Sequence, residues 1–426
     1  MVTKHKMKNT EIGFIPEDWD VKSIKDCTDV VTGATPSTKI DEYWGGHIKW
    51  MSSGELNNKF IYEVKGRITQ EGYNNSGTHM IPPHCVLIGL AGQGKTRGTA
   101  AYNYIPLCTN QSIGSILPND EIFDSLFLYY YLDSQYDNLR LLSAGDGGRG
   151  GLNKQLILNL LFPNPKPQEQ KAIAKVLDKL DLLLGDLDKA ILKKKQIKEG
   201  TMQQLLTGKV RLKGFKEPWV EKSMMEIGQT YNGITGKGKA DFGHGNSRFI
   251  TFLNILNNPS ININELESVD IDPINDGQNE VRKGDLFFNT SSETPEDVGT
   301  CSTLLHDVEN VYLNSFCFGF RLKDSEISGL FMSYYFRSEI GRREMATLAQ
   351  GATRYNLSKE NFYKIIVRVP KTKEEQNAIT KVLATMDSEI SALEAERDKY
   401  ISIKQGMMQK LLTGQIRLPQ SCLKEE

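Results

Sequence analysis

Apolar residues recur at alternating steps of three and four along two stretches of the chain, residues 169–212 and 375–418. This stripe is too narrow to cover a sheet but continues over several heptads, as in a coiled coil. The sequence therefore predicts two long helices that stop at Gly208 and Gly414. The positions expected to pack between helices are Ile173, Leu177, Leu180, Leu184 and Leu187 in the first, and Ile379, Leu383, Met386, Ile390 and Leu393 in the second.

The two stretches are copies of one another. They align without a gap at an offset of 206 residues and are identical at about half of their positions. A repeat of this length indicates a duplicated structural unit. We therefore expect the two helices to pair antiparallel, as the halves of a pseudo-twofold internal repeat. Four polar residues within the apolar stripes, Lys194, Lys198, Arg397 and Lys404, are expected to fix the register of that pair.

Short apolar runs separated by Gly, Pro and Asn precede each helix and predict strands joined by turns. The sequence thus predicts an α+β fold of two similar globular domains separated by two long antiparallel coiled-coil helices. The expected domain boundaries are 1–162, 163–212, 213–368 and 369–426. Predicted strands include 47–51, 85–90, 100–105 and 112–118 in the first domain, and 248–253, 285–290 and 311–322 in the second. Short buried helices are predicted at 125–135 and 329–339.

Composition and charge narrow the possible functions. The 426 residues are 39% hydrophobic, and no run is long and apolar enough for a membrane span. The six cysteines are widely spaced, which predicts a reduced, cytoplasmic protein without a metal framework. The net charge is −1, although residues 163–212 contain 11 basic and 6 acidic residues. This basic stretch is expected to help partner chains dock, whereas a stand-alone nucleic-acid binder would carry more positive charge.

One nucleotide-binding motif must be considered. Residues 89–96, GLAGQGKT, fit the pattern of a phosphate-binding loop, and an NTPase built on them is an alternative function. Such a loop needs a helix after it, whereas the following residues are β-like and reach Pro106 within about ten positions. We therefore interpret the motif as a glycine-rich hairpin loop. The histidines show no metal-ligand spacing, and no catalytic constellation is predicted.

Polar, glycine-rich loops carry the remaining candidates. Arg, Lys, Gln and Asn are the side chains that hold phosphates or read base edges. The candidate DNA-binding residues are Gln93, Lys95, Thr96, Arg97 and Arg149 in the first domain, and Lys237, Lys239, Arg248, Thr353, Arg354, Tyr355 and Asn356 in the second.

Three motifs occur in an order that resembles the specificity subunit of type I restriction–modification systems. They are IGFIPEDW at Ile12–Trp19, the EQ pair that opens each helix at Gln170 and Gln376, and LLTG followed by RL at each helix end. The resemblance implies two target recognition domains without a catalytic site. It also implies modification subunits with S-adenosylmethionine and adenine methylation, and restriction subunits with ATP and Mg²⁺.

The expected function is to read a bipartite, asymmetric double-stranded DNA target through the major groove, with weak DNA binding by the chain alone. The helices would set the spacer between the two half-sites. A structural coiled-coil scaffold and a specificity subunit of a related architecture stay open beside the NTPase alternative.

Overall fold

The computed structural model describes residues 6–92, 94–143, 151–351 and 353–419. Contacts divide the chain into two compact units: unit 1 comprises Met1–Leu187 with Glu396–Glu426, and unit 2 comprises Asp188–Ala395. Each unit therefore contains one globular region, the beginning of one long helix and the end of the other. The domain boundaries expected from sequence keep each long helix whole, whereas the boundary between the compact units falls inside both helices. The expected boundaries therefore stay a prediction.

Unit 1 is built from short strands around a central helical segment. Its strands are β1 Met7–Thr10, β2 Gly13–Pro16, β3 Asp20–Ser23, β4 Val30–Thr32, β5 Trp44–Met51, β6 Phe60–Ile61, β7 Gly66–Ile68, β8 Met80–Ile81, β9 Val86–Gly89, β10 Ala100–Asn103, β11 Leu107–Thr109, β12 Ile113–Ile116 and β13 Leu161–Asn164. Its helices are α1 Ile24–Cys27, α2 Gln70–Asn74, α3 Ser125–Ser134, α4 Tyr136–Leu142, α5 Lys154–Leu158 and the beginning of α6 Pro167–Leu205.

The strands of unit 1 form two main sheets. One has the order β4-β12-β9-β10-β6 and the other β7-β5-β11-β8. Strands β9, β10 and β12 are buried throughout. Helix α3 packs against β9 and β10, and its Phe127 and Leu128 belong to the same buried cluster. A separate β3–β13 pair brings the start and the end of the globular region together just before α6.

Unit 2 repeats this plan with fewer strands. Its strands are β14 Val220–Ser223, β15 Gly228–Asn232, β16 Phe242–Ile250, β17 Glu267–Val269, β18 Leu286–Asn289, β19 Ser291–Ser292, β20 Cys301–Thr303, β21 Val311–Leu313, β22 Cys317–Leu322, β23 Tyr355–Asn356 and β24 Ile366–Val369. Its helices are α7 Met224–Ile227, α8 Phe252–Asn257, α9 Gly329–Arg337, α10 Glu339–Leu348, α11 Lys359–Tyr363 and the beginning of α12 Lys373–Leu411.

The strand order of unit 2 matches that of unit 1. Its sheets run β15-β22-β18-β20 and β17-β16-β21, and β14 pairs with β24 as β3 pairs with β13. In both units the long strand of the second sheet has one parallel neighbour, β11 beside β5 and β21 beside β16. Both globular regions thus have mixed helix and sheet content with a common topology.

Two predicted strands of unit 2 differ from the structure. The run 248–253 is wrong at its end, because the Thr251 hydroxyl accepts a hydrogen bond from Asn254 N at 3.2 Å and begins helix α8. The run 311–322 is two strands, since a turn closed by the bond from Cys317 N to Asn314 O, 3.2 Å, separates β21 from β22. Side-chain capping and turn formation overrode apolar continuity at both places.

The long helices pack into the globular cores at their ends. In unit 1, Ile173 and Leu177 of α6 share a buried cluster with Met408 and Leu411 of α12. Leu187 is also buried, whereas Leu180 and Leu184 are half-buried. In unit 2, Ile379, Leu383 and Ile390 are buried, and Met386 and Leu393 are half-buried. The first two share a cluster with Met202, Leu205 and Leu206 at the end of α6.

Three of the four polar stripe residues make ion pairs between helices. Lys404 Nζ lies 2.5 Å from Asp181 Oδ1, and Tyr130 Oη donates to the other carboxylate oxygen at 2.8 Å. All three polar groups have little exposure, so one helix position is matched to one position of the other. Asp181 lies by Lys404, while Ile173 and Leu177 lie with Met408 and Leu411, so α6 and α12 run antiparallel within unit 1.

Unit 2 makes the same contact with a lysine and an aspartate 206 positions away and a tyrosine 204 positions away. Lys198 pairs with Asp387, and Tyr334 Oη donates to Asp387 Oδ2 at 2.7 Å. The other two stripe residues behave differently. Lys194 pairs with Glu389 where both side chains are about half-exposed, and the hydrogen bonds of Arg397 include a local one to Asp398.

The basic stretch of α6 is partly neutralised inside unit 2. Lys194, Lys195 and Lys198 pair with Glu389, Glu394 and Asp387 of α12. These lysines therefore contribute to the contact between the two helices, because carboxylates of α12 lie opposite them. They offer less free positive charge to a partner than the sequence predicts.

Candidate nucleic-acid interface

The glycine-rich motif of unit 1 forms the hairpin between β9 and β10. Gly98 N donates to Gly89 O at 2.9 Å, and Gly89 N donates to Thr99 O at 3.0 Å. Strand β10 begins at Ala100, directly after the loop. A phosphate-binding loop requires a helix N-terminus at this point, whose amides face the phosphates. The hairpin therefore lacks the structural setting of an NTPase site.

Helix α4 supports this hairpin from the side. Tyr136 Oη donates to Lys95 O at 3.0 Å, and Arg140 Nη1 donates to Gly94 O at 2.5 Å. The backbone at Gly98 has φ +81°, and a Cβ there would lie 3.2 Å from Arg140 Cγ, so glycine suits the close approach. The two hydrogen bonds from helix α4 hold the loop backbone in place. The Lys95 side chain is exposed, while Thr96 and Arg97 are half-buried.

Two predicted site residues of unit 1, Gln93 and Arg149, lie outside the described residues. Lys95, Thr96 and Arg97 are brought together on one hairpin. A short, supported loop with an exposed cation is suited to contact a phosphate or a base edge, since little ordering entropy is lost on binding.

The corresponding loop of unit 2 follows helix α10. Gln350 and Asn356 exchange backbone hydrogen bonds of 3.0 and 2.8 Å, and β23 pairs with β19. Leu357 is buried and its N–H donates to Thr290 O at 3.0 Å, which anchors the loop to the central sheet. The predicted site residues Thr353, Arg354 and Asn356 are exposed there, and Tyr355 is half-buried.

Arg354 lies at an apolar pocket of about 400 Å³. Leu253 and Phe316 line the same pocket, although 63% and 61% of their surfaces are exposed. Within the part of the chain that the structure describes, the Arg354 side chain has no ion-pair partner. Sequence reasoning missed Leu253 and Phe316, because exposure of an apolar residue cannot be recognised from hydropathy alone. On such a surface the arginine can contact a guanine edge, and the apolar side chains can contact a thymine methyl.

The remaining candidates of unit 2 lie elsewhere. Lys237 forms an ion pair with Asp276 at 2.6 Å, and this hydrogen bond raises the pKa of Lys237. Lys239 is exposed in a short 3₁₀ segment. Arg248 is exposed on β16, one position from the pocket residue Phe249, so its side chain leaves the opposite face of the strand. These three therefore do not join the Arg354 loop in one surface.

The described residues contain no group of three or more His, Cys, Asp or Glu side chains arranged to hold a metal ion. Five cysteines are buried, and burial raises the pKa of the Cys85 thiol to about 12 and that of Cys108 to about 11. Protonated, enclosed thiols are poor nucleophiles. None of the helices in the described part of the chain combines membrane-spanning length with sufficient apolar character.

Comparison with known proteins gives a consistent family assignment. The family model of the type I restriction modification DNA specificity domain matches twice, over residues 16–198 and 216–402. The type I restriction enzyme MjaIX specificity subunit of Methanocaldococcus jannaschii is 36% identical over 191 residues, 43% of either chain. The MjaVIII specificity subunit of the same organism is 24% identical over 431 residues, covering 95% of this chain and 94% of that protein.

Solved structures share the fold. The crystal structure of the S subunit of a type I restriction-modification system from M. genitalium matches with a TM-score of 0.59 at 16% identity, covering 96% of this chain and 99% of that one. A chain from a study of complex assembly in the type I R-M system matches with a TM-score of 0.55 at 14% identity, covering 94% and 99%. At these identities the likeness is evidence for the fold.

Proposed function

The chain belongs to the type I restriction–modification DNA specificity family, and on this basis we propose that it reads the DNA sequence for a complex whose catalytic chains are separate. The family match agrees with the resemblance carried by the opening motif and the two helix motifs. The observation that carries the proposal is a common topology with two different loop surfaces. Unit 1 offers the Lys95 hairpin, whereas unit 2 offers Arg354 beside Leu253 and Phe316.

Because the two loop surfaces differ in charge and apolar content, the two half-sites should differ in sequence. Each unit would read one half-site through the major groove, where all four base pairs are distinguishable. The test is methylation profiling of DNA from cells that express this chain with its modification subunit. A bipartite asymmetric motif is expected, and a palindromic or continuous motif would contradict the proposal.

The two long helices are proposed to form a coiled coil that sets the spacer between the half-sites. Each is 39 residues long without interruption. Deleting one heptad from both helices removes about 10 Å of helix, which corresponds to about three base pairs of DNA at ~3.4 Å each. The methylated motif should keep both half-sites and lose about three spacer positions. An unchanged spacer would contradict the proposal that the helices set the spacer, and it would leave the proposal of base recognition intact.

Modification and restriction subunits are the proposed partners, and S-adenosylmethionine, ATP and Mg²⁺ would be bound by those chains. Support comes from exposed apolar residues on α6, namely Leu182 and Leu183 in unit 1 and Leu192 and Ile197 in unit 2. Apolar groups on a paired helix are typical of partner contacts. Leu182→Gln with Leu192→Gln should abolish co-purification with the modification subunit. Lys189→Gln is a control on the same helix, and retention of the partner by the leucine variant would exclude this surface.

A further inference from the structure

A cleft in unit 2 collects positive charge where two helices begin. Its volume is about 590 Å³, and it lies beside the end of β22, the start of β18 and the first residues of α9 and α12. Five basic and two acidic side chains line it. They are Arg282, Lys283, Arg321, Lys323 and Lys373, and Asp285 and Asp324.

Both carboxylates of the cleft are already neutralised. Asp285 is buried and accepts two hydrogen bonds from Arg321, of 3.0 and 2.7 Å. Asp324 pairs with Lys222 at 3.2 Å. The cleft therefore keeps a surplus of positive charge from the remaining basic residues.

Three cations of the cleft have no carboxylate partner among the described residues. Arg282 and Lys323 are exposed, and Lys373 Nζ donates to the carbonyl oxygen of Ser325 at 2.7 Å. The fourth, Lys283, pairs with Asp307 at 2.8 Å, but both side chains are largely exposed. Exposed pairs of this kind are weak and exchange readily with other anions.

The N-terminus of α9 faces the same cleft. Its cap residue, Ser328, is 6% exposed, and the hydroxyl makes no capping bond to the helix. This hydroxyl has no hydrogen-bond partner within the part of the chain that the structure describes. Helix N-termini attract anions, because their first amides lack partners and carry partial positive charge. A nearly buried, unpartnered hydroxyl beside such amides is a donor set suited to an oxyanion.

Unit 1 provides an internal comparison. There the equivalent helix is α3, since Gln170 Oε1 accepts a hydrogen bond from Asp124 N at 2.7 Å, as Gln376 Oε1 does from Ser328 N at 2.8 Å. The Asp124 carboxylate accepts a hydrogen bond from Phe127 N at 2.8 Å. Unit 1 therefore supplies its own anion at this helix, whereas unit 2 does not.

The cations are also specific to unit 2. Counted from the paired ends of β9 and β12, and of β18 and β22, Arg282 stands where unit 1 has Pro82, and Lys323 where it has Asn119. The serine thus replaces a carboxylate, and the two exposed cations replace uncharged residues. All three changes make the cleft of unit 2 more positive than the equivalent place in unit 1.

We propose that this cleft of unit 2 is an oxyanion site that takes a phosphate group. Ser328 Oγ and the first amides of α9 would donate to the phosphate oxygens, and Arg282 and Lys323 would balance its charge. The site is independent of base reading: it lies at the Leu286 end of β18, whereas the Arg354 pocket lies at the end that leads to Ser291.

Thermal unfolding of the full chain tests the site. Millimolar inorganic phosphate should raise the Tm of the wild-type protein by about 2–4 °C over chloride at equal ionic strength. Ser328→Asp copies the carboxylate cap of unit 1, so it should fold without loss of Tm in chloride and lose the phosphate effect. A phosphate effect that chloride reproduces, or that survives in Ser328→Asp, would overturn the proposal.

A matched pair of lysine variants separates the cleft from general surface charge. Lys323→Asn introduces the residue that unit 1 has. It should lose most of the rise in Tm that inorganic phosphate causes, and most of the broadening of the ³¹P NMR line of phosphate that binding to the wild-type protein produces. Lys364→Asn removes an exposed lysine of the same unit that does not line the cleft and should keep both. Equal losses in the two variants would contradict a defined site.

The phosphate could belong to a small molecule or to the DNA backbone. A duplex without the target sequence distinguishes the two. If backbone phosphate is the ligand, Lys323→Asn should lower the salt dependence of duplex binding by about one unit of slope. If a small phosphate compound is the ligand, duplex binding should be unchanged while the inorganic phosphate effect is lost. Loss of neither would exclude the site.

Discussion

The guanidinium of Arg417 holds the carboxylate of Glu169, although 248 positions separate them in the chain. Arg417 Nη2 lies 2.5 Å from Glu169 Oε2, and Trp19 Nε1 donates to the same oxygen at 3.1 Å. Arg417, near the end of the second repeat, thus binds a glutamate in the first turn of helix α6. Trp19, Glu169 and Arg417 therefore join three distant parts of the sequence within unit 1.

Unit 2 makes the same arrangement with the roles of the repeats exchanged. Arg211 Nη2 lies 2.7 Å from Glu375 Oε2, and Trp219 Nε1 donates to Glu375 Oε1 at 3.4 Å. Both residues of this ion pair are 206 positions from their counterparts in unit 1. The LLTG–RL and EQ motifs are therefore the two halves of one buried contact, which explains why they recur together.

Glu375→Gln should destabilise unit 2 by about 3 kcal/mol, because removing one partner leaves a poorly solvated charge on the other. Glu169→Gln should act similarly in unit 1, reduced by the second contact of Arg417 with Asp18. Urea unfolding measures both effects. Glu217→Gln is the control, since its pair with Lys371 is exposed on both sides and should be worth below about 0.5 kcal/mol. Equal effects in all three variants would count against a structural role of the buried pairs.

Lys404→Met should weaken the helix pairing of unit 1. It leaves the Asp181 carboxylate with the Tyr130 hydroxyl but without its cation. A double-mutant cycle with Asp181→Asn should give a coupling of about 1–3 kcal/mol, as neighbours in one network do. Lys194→Met, which removes a half-exposed pair with Glu389, should couple by less than about 0.5 kcal/mol. A coupling near zero at Lys404 would show that this pair does not define register.

Arg354→Ala should relax only one half of the methylated motif. A good base contact by arginine discriminates by about 1–3 kcal/mol, so the preferred base should lose roughly 5- to 150-fold in methylation frequency against its competitors. Lys95→Ala is the reciprocal variant and should affect only the other half. Methylation profiling of both strains measures the outcome. Relaxation of both halves by either variant would argue against one reader per unit.

Buried thiols should make stability fall at alkaline pH. Burial raises the pKa of Cys85 and of Cys317 from 9.0 to about 12. The folded state therefore favours the protonated thiols, and this contribution is complete below pH 9 and is lost as the pH rises towards about 12. When the pH is raised from about 8 to about 10.5, the urea concentration at the unfolding midpoint should decrease. The decrease should be smaller in Cys85→Ala than in the wild type, because the variant lacks one titrating thiol. Parallel pH profiles would contradict this assignment.

The same thiols should resist alkylation in the native protein. Iodoacetamide at about pH 8 should label Cys27, Cys85, Cys108, Cys301 and Cys317 slowly until urea unfolds the chain, since the thiolate is the reactive form. Peptide mass spectrometry measures each site separately. Rapid native labelling of Cys85 would show local opening that the packed core does not predict.

Local patterns in the sequence were sufficient for the elements and their repetition. The apolar stripe from Ile173 to Leu187 predicts a helix because side chains three and four positions apart share a helix face. The gapless repeat predicts that the second helix copies the first, and the helices α6 and α12 are present as expected. Short-range periodicity determines such features without knowledge of distant contacts.

Tertiary structure alone decided which distant residues meet. Nothing in the local sequence places Arg417 on Glu169, and nothing brings Arg282, Lys323 and Ser328 to one cleft, since strand pairing and helix docking create those distances. The exposure of Leu253 and Phe316 is likewise a result of packing around them. Chain order and hydropathy determine which elements form, whereas the free energy of burying their faces together determines which side chains share a site.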